Sequence, residues 1–319
     1  MESRKLRKKI IKEERVSFFS EGDRIAGILR LPDSGAAPPW PAIVQGPGWL
    51  GLKDAKLYLR YHSALTEAGF AVLIFDYRGF GESEGRTDLL RPHDQLEDMI
   101  NAVSYLTTRD DVDADNIGAF GSGGTGGGNA LVLAAQDPRV SCAVSQVPVA
   151  DGRDWLHRMR REHEWLEFLE RIEADRARRV LTGKGELVHP RQEIMVPTPE
   201  RKKTNIKKDV DSKIQEEVLL RSAEYILDYK PIELVKKISP RAVMIIGVEN
   251  DATTPTDHAI ALYEAAGQPK KLIMQRHTTH YAAYEKYGDT VTPEIVDWFR
   301  KHMTRGNLDI RQEEKTNES

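Results

Sequence analysis

Asn116-Ile117-Gly118-Ala119-Phe120-Gly121-Ser122-Gly123-Gly124-Thr125-Gly126-Gly127-Gly128 decides the fold. Its first six residues form a nearly continuous apolar run, as a strand buried on both faces of a sheet requires. The glycines then permit a sharp turn, because a residue without Cβ enters positive φ freely. Helical apolar spacing follows from Gly126 to Ala135. A strand, a tight turn and a helix make one unit of a parallel sheet. The glycines are not a Walker loop, which needs Gly-Lys-Ser/Thr where this chain has Gly128-Asn129-Ala130. A dinucleotide fingerprint belongs to the first strand of its domain, and this strand comes late. The N–H groups at the start of this helix still suit an anion.

Outward from this stretch, strand and helix alternate. Towards the N-terminus, Arg15 to Ser20 and Arg24 to Leu31 read as strands joined by the turn Glu21-Gly22-Asp23. Pro41 to Gln45 is a short strand broken by Gly46-Pro47-Gly48. A helix over 54–68 ends at Gly69, Phe70 to Phe75 is a buried strand, and 94–106 is a helix. Val140 to Val147 is the next strand. Alternation stops near Ala150. Charge-dense sequence follows, with one long helix expected over 154–179, irregular chain over 188–208, and a helix over 216–226. Alternation resumes with a strand over 241–247, a helix over 256–266, a strand over 271–275 and a helix over 293–303.

The pattern predicts an α/β fold: a doubly wound, mostly parallel sheet interrupted by a helical cap insertion. The expected division is a first core part over 1–150, a cap over 151–237, a second core part over 238–304 and a polar tail over 305–319.

Composition narrows the function. The chain has 319 residues, 39% hydrophobic and 30% charged, enough apolar surface for a large core. A net charge of -3 argues against nucleic acid or an anionic membrane as partner. Cys142 is the lone cysteine, so no internal disulfide is possible. No apolar run approaches the roughly 20 residues of a membrane span. The basic start, Met1 to Arg15, lacks the apolar centre of a signal peptide, which points to the cytoplasm. Lys5-Leu6-Arg7-Lys8-Lys9 reads as a solvated segment rather than a targeting patch.

In a doubly wound sheet, ligands bind beyond the carboxyl ends of the strands. The chemistry is therefore expected in the loops after Gln45, Gly121, Gly247 and Gln275. Two of these loops carry Asp251 and His280. An acid after one late strand and a histidine after the next follow the order nucleophile, acid, histidine. The histidine must accept a proton near neutral pH, and the carboxylate must fix its tautomer.

Taken together, these motifs resemble the α/β-hydrolase superfamily, in particular dienelactone-hydrolase and dipeptidyl-peptidase-like members with a helical cap. Pro41 to Gly48 resembles the strand and loop that contribute to the oxyanion hole. Phe75-Asp76-Tyr77-Arg78-Gly79-Phe80-Gly81-Glu82-Ser83 resembles the family's Asp-x-Arg-Gly-x-Gly-x-Ser segment, and Asn116 to Gly121 its strand before the nucleophile. The likeness covers most of 15–303 except the cap. It implies Asp251 as the acid, in preference to Glu249 or Asp257, and His280 as the base, in preference to His277. It implies a cofactor-independent hydrolase that cleaves an ester, lactone, amide or activated C–C bond of a small molecule.

The departure is at the nucleophile, where relatives read Gly-x-Ser-x-Gly. Counted from Ile117-Gly118, Gly123 falls on the nucleophile position and Ser122 comes one residue early. Counted back from the helix, Gly-x-Thr-x-Gly makes Thr125 the nucleophile, as if the turn held an extra residue. Ser122 is the preferred nucleophile and Thr125 the alternative, sterically hindered by its β-branch. A third reading has no attacking side chain: His280 and Asp251 activate water or the substrate, as a hydrolase or a lyase or decarboxylase. A fourth is a binding protein that has lost catalysis.

Oxyanion donors are expected from the backbone of Gly48 or Trp49, since Pro47 has no N–H, and from Gly123. Gln45 offers a further amide or a structural role. Asp76 and Arg78 are expected to brace the turn after their strand, and Cys142 to be core. His157 and His163 lack a convincing metal partner, so no metal is expected. Trp155, Met159 and Trp165 face substrate, pack the base of the cap, or contact a second subunit in a possible homodimer.

Overall fold

The computed structural model describes residues 12–303 apart from 33, 34, 36 and 207. The basic patch over 5–9 and the tail over 305–319 lie outside the described residues.

The first core part contains β1 (Lys12–Ser20), β2 (Asp23–Leu31), β3 (Trp40–Gly46), α1 (Leu59–Glu67), β4 (Ala71–Phe75), α2 (Pro92–Thr107), β5 (Val112–Ser122), α3 (Gly124–Gln136) and β6 (Val140–Gln146). Between β6 and the next sheet strand lie α4 (Gly152–Arg158), α5 (Glu162–Thr182), β7 (Leu187–Val188), α6 (Pro199–Lys203), β8 (Val218–Leu219), α7 (Arg221–Leu227) and α8 (Pro231–Leu234). The chain closes with β9 (Ala242–Asn250), α9 (Thr256–Ala265), β10 (Lys270–Thr279), α10 (His280–Glu285) and α11 (Gly288–Met303).

Eight strands form one sheet in the order β1-β2-β4-β3-β5-β6-β9-β10. β1 and β2 pair antiparallel, β2 pairs antiparallel with β4, and every later pairing is parallel. This is the α/β-hydrolase fold. The chain moves from β3 outward to β4, then returns past β3 to β5. The ends of β3 and β5 therefore flank the point where strand order reverses, which is where such sheets bind ligands.

Side chains alternate across the sheet. Phe120 packs with Tyr61 and Leu65 of α1 and Phe299 of α11 on one face, whereas Ala119 joins Met99 of α2 and Leu131 of α3 on the other. Ser122, two residues beyond Phe120, belongs to the α1 and α11 side. Among the described residues no helix is long and apolar enough to cross a membrane.

Three local expectations are corrected. The helix after the glycine-rich turn begins at Gly124, and β5 runs through Ser122, so the turn is one residue long and holds no extra residue. The single helix expected over 154–179 is two. Asp151 caps α4 by accepting from the N–H groups of Arg153 and Asp154, and the chain turns extended at Arg161, whose N–H donates to Glu164 at 2.7 Å to start α5. The helix expected from Glu216 begins only at Arg221, because Val218 and Leu219 first pair with β7.

The glycine run is a packing requirement. A Cβ on Gly126 would sit 2.9 Å from the Cα of Gly48 and 3.0 Å from its N, so α3 rests its backbone on the loop after β3. Backbone cannot yield as a flexible side chain does. Gly126→Ala is expected to destabilise the protein by about 1–3 kcal/mol, the usual cost of overpacking a tight contact. Urea unfolding checks this; unchanged stability would show that the loop after β3 moves freely.

Candidate active site

β5 delivers the chain to Gly123, the single residue between strand and helix. Its φ of +82° and ψ of 157° lie in a region open essentially to glycine alone. This is the apex of the elbow, the place a nucleophile occupies in the resembled family. A Cβ at Gly123 would meet nothing closer than the Cα of Gly48 at 3.5 Å and the Oη of Tyr284 at 4.0 Å. The space above the apex is thus open, and Gly123 lines a cavity of about 40 Å³ together with Ser122 and His280.

β9 ends at Asn250 and presents Asp251; β10 ends at Thr279 and presents His280. The two side chains meet: His280 Nδ1 lies 2.7 Å from Asp251 Oδ2, and both are buried. The second oxygen, Oδ1, accepts from the N–H groups of Thr253 at 2.8 Å and Thr254 at 2.7 Å. A carboxylate so held is acceptor-only towards the imidazole, so Nδ1 carries the proton and Nε2 is left basic. Among the described residues Nε2 makes no hydrogen bond.

The competing residues have other partners. Asp257 pairs with Arg158 at 2.8 Å, and Glu249 accepts from the N–H of His277 at 2.7 Å. His277 is exposed. A second pair, the buried His258 with the half-exposed Asp154, Nε2 to Oδ2 at 2.8 Å, is structural: His258 Nδ1 accepts from Ala150 N–H and ties the start of the cap to α9.

Ser122 is buried and its Oγ has no hydrogen-bond partner among the described residues. It shares the cavity with His280 but makes no bond to it. Thr125 Oγ1 is also buried and unpartnered, yet Thr125 does not line the cavity. Cys142 is deep in β6, where burial pushes its thiol pKa up. It is core.

The free backbone N–H groups at the cavity differ in part from the expected oxyanion donors. Gly48 N–H donates to Tyr58 Oη at 3.2 Å, and Gly123 N–H to the carbonyl of Gln146 at 3.1 Å, so both are occupied. The N–H groups of Trp49, expected, and Gly124, not expected, make no hydrogen bond among the described residues, and both residues line the cavity.

The loop after β3 is fixed from below. Lys53, almost wholly buried, places Nζ 2.8 Å from Asp76 Oδ2 and 2.6 Å from Glu82 Oε2. Its own N–H donates to Asp76 Oδ1 at 2.8 Å. Burial acts to lower the ammonium pKa, but Asp76 and Glu82 outweigh it and leave it raised. Asp76 is thus a brace, and so is Arg78, whose Nε donates to the buried Asp98 at 2.8 Å. Gln45 is held through Oε1 by His62 Nε2 at 2.6 Å, while His62 Nδ1 accepts from Arg30 at 2.7 Å. A guanidinium can only donate, so Nδ1 of His62 is unprotonated and Nε2 is the donor to Gln45.

From the cap, Trp155 of α4 lines the cavity, stacks edge-to-face on Trp49 with ring centres 5.5 Å apart, and donates Nε1 to the carbonyl of Thr253 at 2.8 Å. Trp165 packs instead against His157 and Phe168, and Met159 against the core. Tyr281 and Tyr284 line the cavity; burial pushes Tyr281 up to about 12 and raises Tyr284 as well, so both hydroxyls stay neutral. Sequence reasoning did not single out Arg191, Arg201, Thr254 or Gly124, which also line it.

A histidine–carboxylate pair, an elbow apex and two free backbone donors at the switch point of this sheet define an α/β-hydrolase-type hydrolase. The chain belongs to the X-Pro dipeptidyl-peptidase (S15) family, whose model matches residues 21–282. It is 32% identical over 293 residues to a 31.7 kDa Escherichia coli protein from the traX-finO intergenic region, covering 89% of this chain and 98% of the relative. It is 34% identical over 138 residues to the quorum-quenching protein AidA of Acinetobacter baumannii, covering 43% of this chain and 44% of AidA. The crystal structure of the α/β hydrolase GrgF from Penicillium superposes with a TM-score of 0.75 at 22% identity, covering 92% of this chain and 99% of that one.

The neutral, buried His62 has a pH signature. Burial, and secondly Arg30, lower its pKa well below 6.5. The unfolded chain therefore takes up a proton on this residue at a pH where the folded chain does not. Its contribution is fully present above about pH 6.5 and is lost as pH falls, by at most about 1.4 kcal/mol per pH unit. Urea unfolding at pH 7.5 and at about pH 5 is expected to show a smaller loss for His62→Gln than for the parent protein. Equal losses would contradict the assignment.

Proposed function

We propose that this protein is a cytoplasmic, cofactor-independent hydrolase of small molecules that uses a water activated by His280, without a covalent intermediate. The observation that carries this reading is Gly123: the elbow apex has no side chain, and the space above it opens into the cavity that His280 lines. A water there gives one proton to His280 Nε2 while its oxygen adds to the carbonyl carbon of an ester, lactone or amide. Asp251 stabilises the resulting imidazolium through the Nδ1–H. The N–H groups of Trp49 and Gly124 receive the negative charge that develops on the carbonyl oxygen. Collapse breaks the bond to the leaving group, which takes the proton back from His280 Nε2.

A second reading keeps the same pair but has Ser122 attack. It is favoured by one observation, the buried Ser122 Oγ without a hydrogen-bond partner in the same cavity. A hydroxyl one residue before the apex needs the strand end to rotate towards His280.

Hydrolysis of 4-nitrophenyl butyrate separates the two. With water as nucleophile, His280→Ala lowers kcat/KM by about 10²–10⁴-fold, the usual worth of a general base. Ser122→Ala stays within about tenfold, and a fluorophosphonate leaves no mass adduct on Ser122. An adduct on Ser122, with Ser122→Ala as inactive as His280→Ala, would establish the covalent route instead. Intact turnover in His280→Ala would sink both.

A further inference from the structure

The cavity beside His280 is lined by two arginines, Arg191 and Arg201, and by no aspartate or glutamate among the described residues. Both come from the segment between β7 and β8, Arg201 from α6. Both guanidinium groups are mostly buried, with side-chain exposures of 13% and 16%. They share one carboxylate: Arg191 Nη1 lies 2.6 Å from Asp211 Oδ1, and Arg201 Nη2 lies 3.3 Å from the same oxygen. Arg191 Nη2 also donates to the carbonyl of Leu50 at 3.3 Å. Each guanidinium has five N–H donors, so most of them, including every one on Nε and Nη1 of Arg201, have no acceptor among the described residues, although Arg201 also lies over the Tyr281 ring at 5.9 Å.

Burying two cations beside one anion is unfavourable unless a further anion completes the set. Burial, then the neighbouring Arg201, act to lower Arg191, which ends below its ordinary value despite Asp211. Independent of the arginines, the same cavity carries buried polar atoms without partners: Trp49 Nε1, Ser122 Oγ, Thr254 Oγ1 and Tyr284 Oη. Buried donors are normally satisfied. Here all four residues line one cavity of about 40 Å³.

We propose that the substrate carries a carboxylate, which Arg191 and Arg201 hold through charge-assisted hydrogen bonds while its scissile carbonyl faces His280. Because both arginines and His280 line one cavity, the spacer between the two groups is short, as in a half-ester of a short dicarboxylic acid whose leaving group extends out of the cavity. The planar fork of arginine suits a carboxylate's two oxygens, where lysine would offer only a point charge. The proposal rests on the reading that this cavity is the reaction centre.

The test compares mono-(4-nitrophenyl) glutarate with its neutral methyl ester, and measures binding of glutarate by calorimetry. The acid is expected to have kcat/KM at least tenfold higher, and the ratio to fall towards one in Arg191→Gln and Arg201→Gln. Arg201→Lys, which keeps the charge, retains part of the preference, and unchanged circular dichroism confirms that the variants fold. Glutarate is expected to bind the parent protein and His280→Ala, and to bind Arg201→Gln at least tenfold more weakly. Arg201-dependent glutarate binding with neither ester turned over would overturn the hydrolase reading and leave the carboxylate site itself standing. Equal turnover of both esters, with no glutarate binding below about 10 mM, would overturn the carboxylate and leave the hydrolase. Sulfate or phosphate competing as strongly as glutarate would also overturn it, in favour of a general anion site.

Discussion

The site depends on one close approach of two backbones. The first turn of α3 lies on Gly48 so tightly that position 126 has no room for a single carbon. Gly123 sets the direction of that turn and Gly126 its depth. Together they put the N–H of Gly124 and the loop bearing Trp49 at the same cavity. The loop is secured from its other sides: Lys53, buried between Asp76 and Glu82, holds it to the chain after β4, and Arg191 donates to Leu50 from the cap. Buried ion pairs of this kind add little net stability. What they fix is position, and oxyanion donors need position above all.

Much of this was legible in the sequence, because strand order and loop chemistry follow from period and punctuation. The continuous apolar runs at 70–75 and 116–121 predicted buried strands, and they are β4 and β5, which flank β3 in the middle of the sheet and pair with it in parallel. Asp251 and His280 could be named because each follows a strand directly, and the fold brings the ends of neighbouring strands together. Glu249, Asp257 and His277 have other partners, Arg158 for Asp257 and each other for Glu249 and His277, which no local pattern encodes.

The turn itself was misread for a physical reason. Eight small residues carry no periodicity, so the end of the strand and the start of the helix could be set from either side with different results. The ladder decided it: Ser122 pairs with Gln146, which extends β5 and leaves Gly123 alone at the apex. The oxyanion expectation failed in the same way. Whether an N–H is free depends on what else lies nearby, and the partners of Gly48 and Gly123, Tyr58 and Gln146, are distant in sequence or across the sheet. Lys53, Arg191 and Arg201 gave no signal because charged residues in irregular segments are ordinarily solvated.

On the proposed reading, an elbow whose apex is glycine keeps the histidine–carboxylate pair in place. Asp251 spends both oxygens, one on His280 and one on two backbone N–H groups, and this arrangement serves to keep Nε2 basic whichever proton it removes. The imidazole does not discriminate between a hydroxyl side chain and a water; on the proposed reading the space above residue 123 does. A hydroxyl fixed at the apex brings its own geometry, whereas a water must be positioned by the cavity wall and by the substrate. A wall of unpartnered donors and guanidinium groups gives that positioning at a cost: it is a poor host for an apolar guest, which would leave those donors unsatisfied. Discrimination built on buried polar groups left unpaired by the wrong ligand is steeper than any built on shape alone. On the proposed reading, the bare apex at Gly123 and the unpaired donors of the cavity belong together: the bound substrate and its water supply the partners that these groups lack among the described residues.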